Sequence, residues 1–169
     1  MNYDESEGIW MKFDHIDKQI VDILQREGRI TMTELGRRVE LTTPAVTERV
    51  RRLEENGVIR GFRADVSRAH LGKPMTAFFL LRVHADATEA FIQWAKEAPG
   101  VLECHRVSGR ADFLLKVAVA DIAELERVAD RCRPYGQVET HIVTTTVIEG
   151  KAMTVPEELV AERSRGKTA

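Results

Sequence analysis

The hydrophobic period of this chain changes once, near Pro74, and that change limits what the chain can fold into. Before Pro74, apolar residues recur every three to four positions, the spacing that gathers them on one face of a helix. After it, apolar stretches of strand length such as MTAFFLLRVH and DFLLKVAVA alternate with helical segments. The expectation is an α+β chain of two domains, and 169 residues are enough for two small ones.

Three helices are expected in the first part. Phe13, Ile16, Ile20, Ile23 and Leu24 define one, ended by Gly28. A second covers about 33–39, with Thr33 as its N-cap, Leu35 and Val39 inward, and a tight turn at Glu40 and Leu41. The third lies in the stretch TTPAVTERVRRLEENG at 42–57, with Thr43 as cap, Pro44 in the first turn and Asn56-Gly57 as the stop. Val46, Val50 and Leu53 share its inner face, while Thr47, Glu48, Arg51 and Glu55 point away. Three helices so close together, the last two only a few residues apart, form the helix-turn-helix layout. Gly36, lacking a side chain, would let the third helix cross closely. The following VIRGFRADV has strand character and predicts a short wing.

Beyond a linker at 64–74, the order reads β-α-β-β-α-β, with strands at 75–84, 102–107, 112–120 and 137–148. Helices are expected at about 87–98 and from Ile122 to Cys132. That is the ferredoxin-like arrangement. The predicted organisation is a flexible extension (1–12), a helix-turn-helix domain (13–63), the linker, a ferredoxin-like domain (75–151) and a polar tail (152–169) to which no function is assigned. Helices would cover one sheet face only. The other keeps apolar side chains, which calls for a partner subunit.

Hydrophobic residues make up 43% and charged residues 31%, a globular balance. No apolar run approaches the ~20 residues of a membrane span, so no membrane partner is expected. The opening MNYDESEGIW carries no hydrophobic signal segment, and a cytoplasmic location is expected. Cys104 and Cys132 form no metal-ligand pattern and read as buried thiols. There is no Gly-rich phosphate loop and no nucleophile motif, and the five histidines are scattered. No catalytic residue, metal site or cofactor is expected. The net charge of −2 hides a local reversal: from Arg29 to Arg63 there are eight arginines and no lysine against five glutamates. Arginine's rigid fork of donors suits phosphates and guanine edges.

Two stretches together resemble a known family. FDHIDKQIVDILQREGRITMTELGRRVELTTPAVTERVRRLEENGVIRGF is similar to the opening of the Lrp/AsnC ("feast/famine") transcription factors of prokaryotes. VSGRADFLLKVAVAD resembles that family's glycine-x-x-aspartate loop and third strand. The resemblance runs from about Phe13 to Lys151. It implies an N-terminal domain that binds double-stranded DNA and a C-terminal domain that assembles a homodimer, extending to tetramers or octamers. It also implies an amino-acid effector and a protein associated with the nucleoid. The sequence departs from the family at Glu40, where a glycine is usual. If that position needs positive φ, glutamate costs on the order of 1 kcal/mol.

In this reading Thr43, Thr47, Glu48 and Arg51 are candidates for base edges, and Arg37, Arg38, Arg49 and Arg52 for phosphates. Any of these arginines could instead pair with Glu34, Glu48 or Glu55 on the surface. For Ser108, Gly109, Arg110 and Asp112 two readings stay open. One is a hairpin turn in which Gly109 supplies positive φ and Asp112 bonds nearby backbone. The other, implied by the resemblance, is an effector site in which Arg110 and backbone donors hold a carboxylate and Asp112 holds an ammonium, with Thr140 and His141 as weaker candidates. Two alternatives to a sequence-reading regulator remain: a DNA-bending protein of the nucleoid, and an enzyme, since certain haem-pathway decarboxylases resemble this family.

Overall fold

The computed structural model describes residues 13–160, which divide into two compact units. The first gathers the described residues up to Ala64 and those from Gly150 onward; the second is Asp65–Glu149.

In the first unit, α1 (His15–Leu24), α2 (Met32–Arg38) and α3 (Thr43–Glu55) enclose Ile20, Leu24, Leu35, Val39, Val46, Val50 and Leu53. Asp14 caps α1 in a capping box with Asp17. The caps of α2 and α3 are Thr31 and Thr42, not the expected Thr33 and Thr43. Their hydroxyls accept from the Glu34 and Ala45 N–H groups, whereas Thr33 and Thr43 already lie within the helices. Between α2 and α3, Glu40 sits at φ 57°, the left-handed conformation that a glycine adopts without strain. A Cβ on Gly36 would lie 2.7 Å from the Leu41 carbonyl oxygen, so glycine there permits the turn to close under α3.

After α3 the predicted wing is not a strand in the single chain. Val58 and Ile59 donate to the Leu53 carbonyl and pack on the core, while Phe62 and Val66 are exposed. A ribbon needs a second strand, and the described residues of this unit supply none.

The chain returns to the first unit at its other end. Val155 is buried in the helix-turn-helix core, with Leu159 and Val160 packed against it. The Gln25 side-chain amide donates to the Met153 carbonyl (2.7 Å) and accepts from its N–H (2.8 Å). The Phe13 N–H donates to the Leu159 carbonyl, and Lys18 pairs with Glu157. The described part of the segment read as a polar tail, 152–160, therefore contributes to the core. Val155→Ala should lower stability by about 1–2 kcal/mol in denaturant unfolding. The neighbouring Met153→Ala should change it little, because that side chain is exposed. Equal stability of Val155→Ala and the parent would show that the segment does not dock.

The second unit comprises β1 (Met75–Val83), α4 (Thr88–Glu97), β2 (Val101–Arg106), β3 (Phe113–Val119), α5 (Ile122–Cys132) and β4 (Gly136–Ile142). The sheet order is β2-β3-β1-β4 with every pairing antiparallel, the expected ferredoxin-like topology. Phe79, Leu81, Phe113, Leu115 and Val117 face the helices and meet Phe91, Ala95 and Leu125. Phe91 packs against Phe113 with the rings tilted 58° and centroids 4.9 Å apart, and meets the Tyr135 ring edge-on at 5.8 Å. The opposite face carries Phe78, Leu80 and Leu114, which are only half-buried. Gly136 is required by sterics, since a Cβ there would sit 2.0 Å from the Arg82 carbonyl oxygen.

Strand β4 stops at Ile142 rather than continuing to 148. Its last ladder-like bond runs from the Val143 N–H to the Thr76 carbonyl, and the residue preceding β1 is Pro74, which has no N–H to extend the pairing. Of the two cysteines, Cys132 is fully buried and burial pushes its thiol up to about 12, but Cys104 is exposed on β2 rather than buried as expected.

Candidate nucleic-acid interface and effector loop

Helix α3 presents an outward stripe in which Thr43, Thr47 and Arg51 follow one another at four-residue spacing, with Glu48, Arg52 and Glu55 beside them. All six are exposed. The Thr47 hydroxyl donates to the Thr43 carbonyl at 2.7 Å. Arg51 is held on both sides by acids of its own helix. Its Nε and Nη2 donate to the two oxygens of Glu48 (2.9 and 2.5 Å), and its Nη1 pairs with Glu55.

Helix α2 supplies Arg37 and Arg38, both exposed. Arg37 binds Glu34 through two donors (2.8 and 2.7 Å), and Arg38 bridges Glu34 and Glu27 (2.9 and 2.6 Å). Hydrogen bonds from Arg37 and Arg38 pull the Glu34 carboxyl down to about 2. The local positive charge seen in the sequence is thus largely paired on the surface of the protein.

Arg49, expected among the phosphate contacts, is placed between helices. Its Nη1 lies 2.6 Å from Asp14 Oδ2 and 2.7 Å from Asp17 Oδ1, and Asp17 is 1% exposed. Arg52 reaches the same carboxylate from one turn along, with Nη2 3.5 Å from Asp17 Oδ2, and remains half-exposed. Burial works to raise the Asp14 carboxyl, but hydrogen bonds from the Asp17 N–H and Arg49 outweigh it, so the net shift is downward from 3.8. A lowered carboxyl stabilises the fold above its unfolded value, and that contribution disappears as pH falls through the lower folded value. Arg49→Ala strands Asp17 without its closest cation. It should destabilise the first unit by roughly 2–4 kcal/mol, somewhat below the cost of breaking a fully buried pair because Arg49 is partly solvated. Chemical denaturation at neutral pH measures this, and a loss below about 0.5 kcal/mol would put the pair among ordinary surface contacts.

In the second unit, Gly109 has φ 110° at the tip of the loop between β2 and β3. Asp112 closes the end of the β1–β3 ladder: its Oδ2 accepts from the Val83 N–H (2.9 Å) and its own N–H donates to the Leu81 carbonyl (2.8 Å). The Val107 N–H donates to the Asp112 carbonyl at 2.9 Å. The Arg82 guanidinium donates to the Arg110 carbonyl at 2.9 Å, and Arg110 reaches Glu139 at 3.1 Å. The structural contacts of the turn reading are therefore present. Ser108, Arg110 and Asp112 are exposed in the single chain. Thr140 stands opposite Phe79, on the helix-bearing side, while Glu139 and His141 fall on the other side with Leu80 and Phe78. The strand thus separates Thr140 from the acid that Arg110 meets. A concavity of about 610 Å³ lies elsewhere in this unit, lined by residues including Asp65, Arg68, Thr144 and Glu149.

A helix-turn-helix with a threonine- and arginine-bearing outer face, on the same chain as a ferredoxin-like sheet, defines a DNA-binding transcription regulator. Comparison with known proteins gives the family. Residues 13–60 match the winged helix-turn-helix DNA-binding model, and residues 76–153 match the Lrp/AsnC ligand binding domain. The chain is similar to the HTH-type transcriptional regulator LrpC of Bacillus subtilis, with 33% identity over 81% of this chain and 95% of that protein. It is 40% identical to the leucine-responsive regulatory protein of Rhizobium meliloti over 69% of this chain and 76% of that one. The solved structure of B. subtilis LrpC superposes with a TM-score of 0.78, covering 82% of this chain and 99% of that one. A feast or famine regulatory protein from M. tuberculosis, complexed with L-methionine, superposes with a TM-score of 0.76 at 29% identity, covering 84% of this chain and 99% of that one. The chain belongs to the Lrp/AsnC family of transcriptional regulators. These relatives are named as regulators, and the enzyme alternative is set aside.

Proposed function

We propose that this regulator reads its DNA site with the outward stripe of α3 and responds to a free amino acid bound beside the loop at 108–112. The observation that carries the first part is the alignment of Thr43, Thr47 and Arg51 on one exposed face of α3, with Arg52 on the same helix and Arg37 and Arg38 on α2 also exposed. A helix placed so can enter a major groove while the flanking guanidiniums reach phosphates. Arg49, committed to Asp14 and Asp17, contributes by holding α3 in place. The protein acts in the cytoplasm at the nucleoid, where this partner lies.

The half-buried sheet face with Phe78, Leu80 and Leu114 supports a homodimer in which a second copy covers it, with tetramers or octamers built from dimers. Binding to preferred and scrambled duplexes at several salt concentrations tests the assignment. Arg51→Ala should cost about 1–3 kcal/mol at the preferred site and relax base preference, and Arg38→Ala should weaken all duplexes alike. Light scattering should give a mass of at least twice 19.1 kDa. Wild-type protein that binds no duplex, or a monomer in solution, overturns the corresponding part.

Support for the effector comes from relatives solved with L-methionine and from the polarity of the loop, where Arg110 suits a carboxylate and Asp112 an ammonium. Ser108 and the Gly109 backbone line the same turn, and Thr140 is the more remote candidate. Calorimetric titration with the twenty amino acids should give heat for at least one. Asp112→Asn keeps an oxygen to accept the Val83 N–H and removes only the charge. It should weaken that binding about tenfold or more while DNA binding without effector is unchanged. Absence of heat, or an unaffected variant, returns the loop to a plain turn.

A further inference from the structure

The bidentate pairing of Glu48 with Arg51 has a consequence for which base pair α3 selects, and it rests on the DNA-reading proposal above. The two side chains are neighbours on the exposed stripe, about equally open to solvent (57% and 54%). Two hydrogen bonds join the fork of one to the fork of the other, Nε to Oε2 at 2.9 Å and Nη2 to Oε1 at 2.5 Å. Such fork-to-fork pairs are the most directional of ionic contacts. The couple therefore presents donors and an acceptor side by side, in a fixed order along the helix.

We infer that Glu48 and Arg51 act as one reading unit, specific for a G·C pair in a single orientation. In the major groove guanine offers two acceptors, N7 and O6, and its partner cytosine offers one donor, the N4 amino group. Arg51 donors meet the guanine edge and the Glu48 carboxylate accepts from the cytosine. Reversing the pair puts the carboxylate against guanine's acceptors and the guanidinium against cytosine's amino group, so both contacts become repulsive. Substituting A·T in either orientation brings the thymine O4 and only one adenine acceptor, which satisfies the unit in part. Glu48 thus discriminates chiefly by rejecting wrong pairs. Glu55, which holds Arg51 through Nη1 at the opposite end of the fork, must give way to DNA and competes with binding without choosing the base.

The test is selection of duplexes from a random pool by the intact protein, followed by affinities for the recovered duplex and for one with the selected pair reversed. Each recovered half-site should contain a G·C pair of fixed orientation, and its reversal should weaken wild-type binding on the order of tenfold. In Glu48→Ala the reversal should cost only two- to threefold, because the rejecting carboxylate is gone. Arg51→Ala should lose preference at that same pair, and the double variant should be no less selective than Arg51→Ala alone. Glu55→Gln should bind the recovered duplex more tightly with its base preference intact. Recovered sites without an oriented G·C pair, or Glu48→Ala and Arg51→Ala relaxing different base pairs, overturn the coupled reading while leaving DNA binding by α3 in place. A pool from which nothing is enriched overturns the DNA-reading proposal itself. All substitutions fall on exposed helix positions, and Ala and Gln are good helix formers, so the fold is retained.

Discussion

A single buried carboxylate organises the DNA-binding unit. Asp17 is the one polar side chain in the interior among the described residues, and each of its oxygens faces a different arginine of α3. It also closes the capping box that starts α1. Burying a carboxylate is costly unless it is paired and hydrogen-bonded, and here Arg49 provides both at 2.7 Å. Apolar packing alone would permit α3 to slide or roll on α1, because methyl groups interlock in several ways. An ion pair reaching from the first turn of α1 to the second turn of α3 leaves fewer choices. The stripe at Thr43, Thr47 and Arg51 points outward partly because Arg49, two residues from Arg51, is tied inward.

The second unit is organised by register instead. Pairing of Phe79 with Leu115 and of Leu81 with Phe113 puts the largest apolar side chains of the two central strands on the helix side together. A slip of one residue would turn Phe78, Leu80 and Lys116 into the core. The Asp112 carboxylate clamps the end of this ladder by accepting the Val83 N–H. The loop that bears the candidate effector residues is therefore anchored to the central strand, and its exposed tip at Gly109 is free to present backbone groups.

Much of this was legible in the sequence because the signals are local. Helical spacing of Ile20, Leu24, Val46, Val50 and Leu53, and the switch to strand runs after Pro74, lead directly to the observed elements and their order. Glu40 stands where the family usually has glycine, and it adopts the positive φ that glycine tolerates. The helix caps are not legible in the sequence, because Thr31, Thr33, Thr42 and Thr43 are chemically equivalent candidates that only backbone geometry separates. The alliance of Arg49 with Asp17 spans 32 positions and leaves no mark in any window. Val155 sits in a short, mostly polar stretch (KAMTVPEELV) with too few apolar positions to mark a helix or a strand, so its docking has no local signal. Strand β4 looked longer than it is because TTTVI has every local property of a strand and lacks only a neighbour to pair with.

The docking of Val155 also affects the order in which the protein can fold. The helix-turn-helix helices are synthesised before the sheet domain, yet a piece of their core, Val155, is made after it. Seen from the first unit, Asp65–Glu149 is one long loop that must close before the core is complete. Closing an unstructured loop of that length is entropically costly. The ion pair between Arg68 and Glu149, 2.7 Å apart near the two ends of this loop, brings those ends together once the sheet domain has formed. The sheet domain thereby acts as its own clasp. During synthesis the core of the first unit can be completed only after Val155, which follows the whole sheet domain, has left the ribosome.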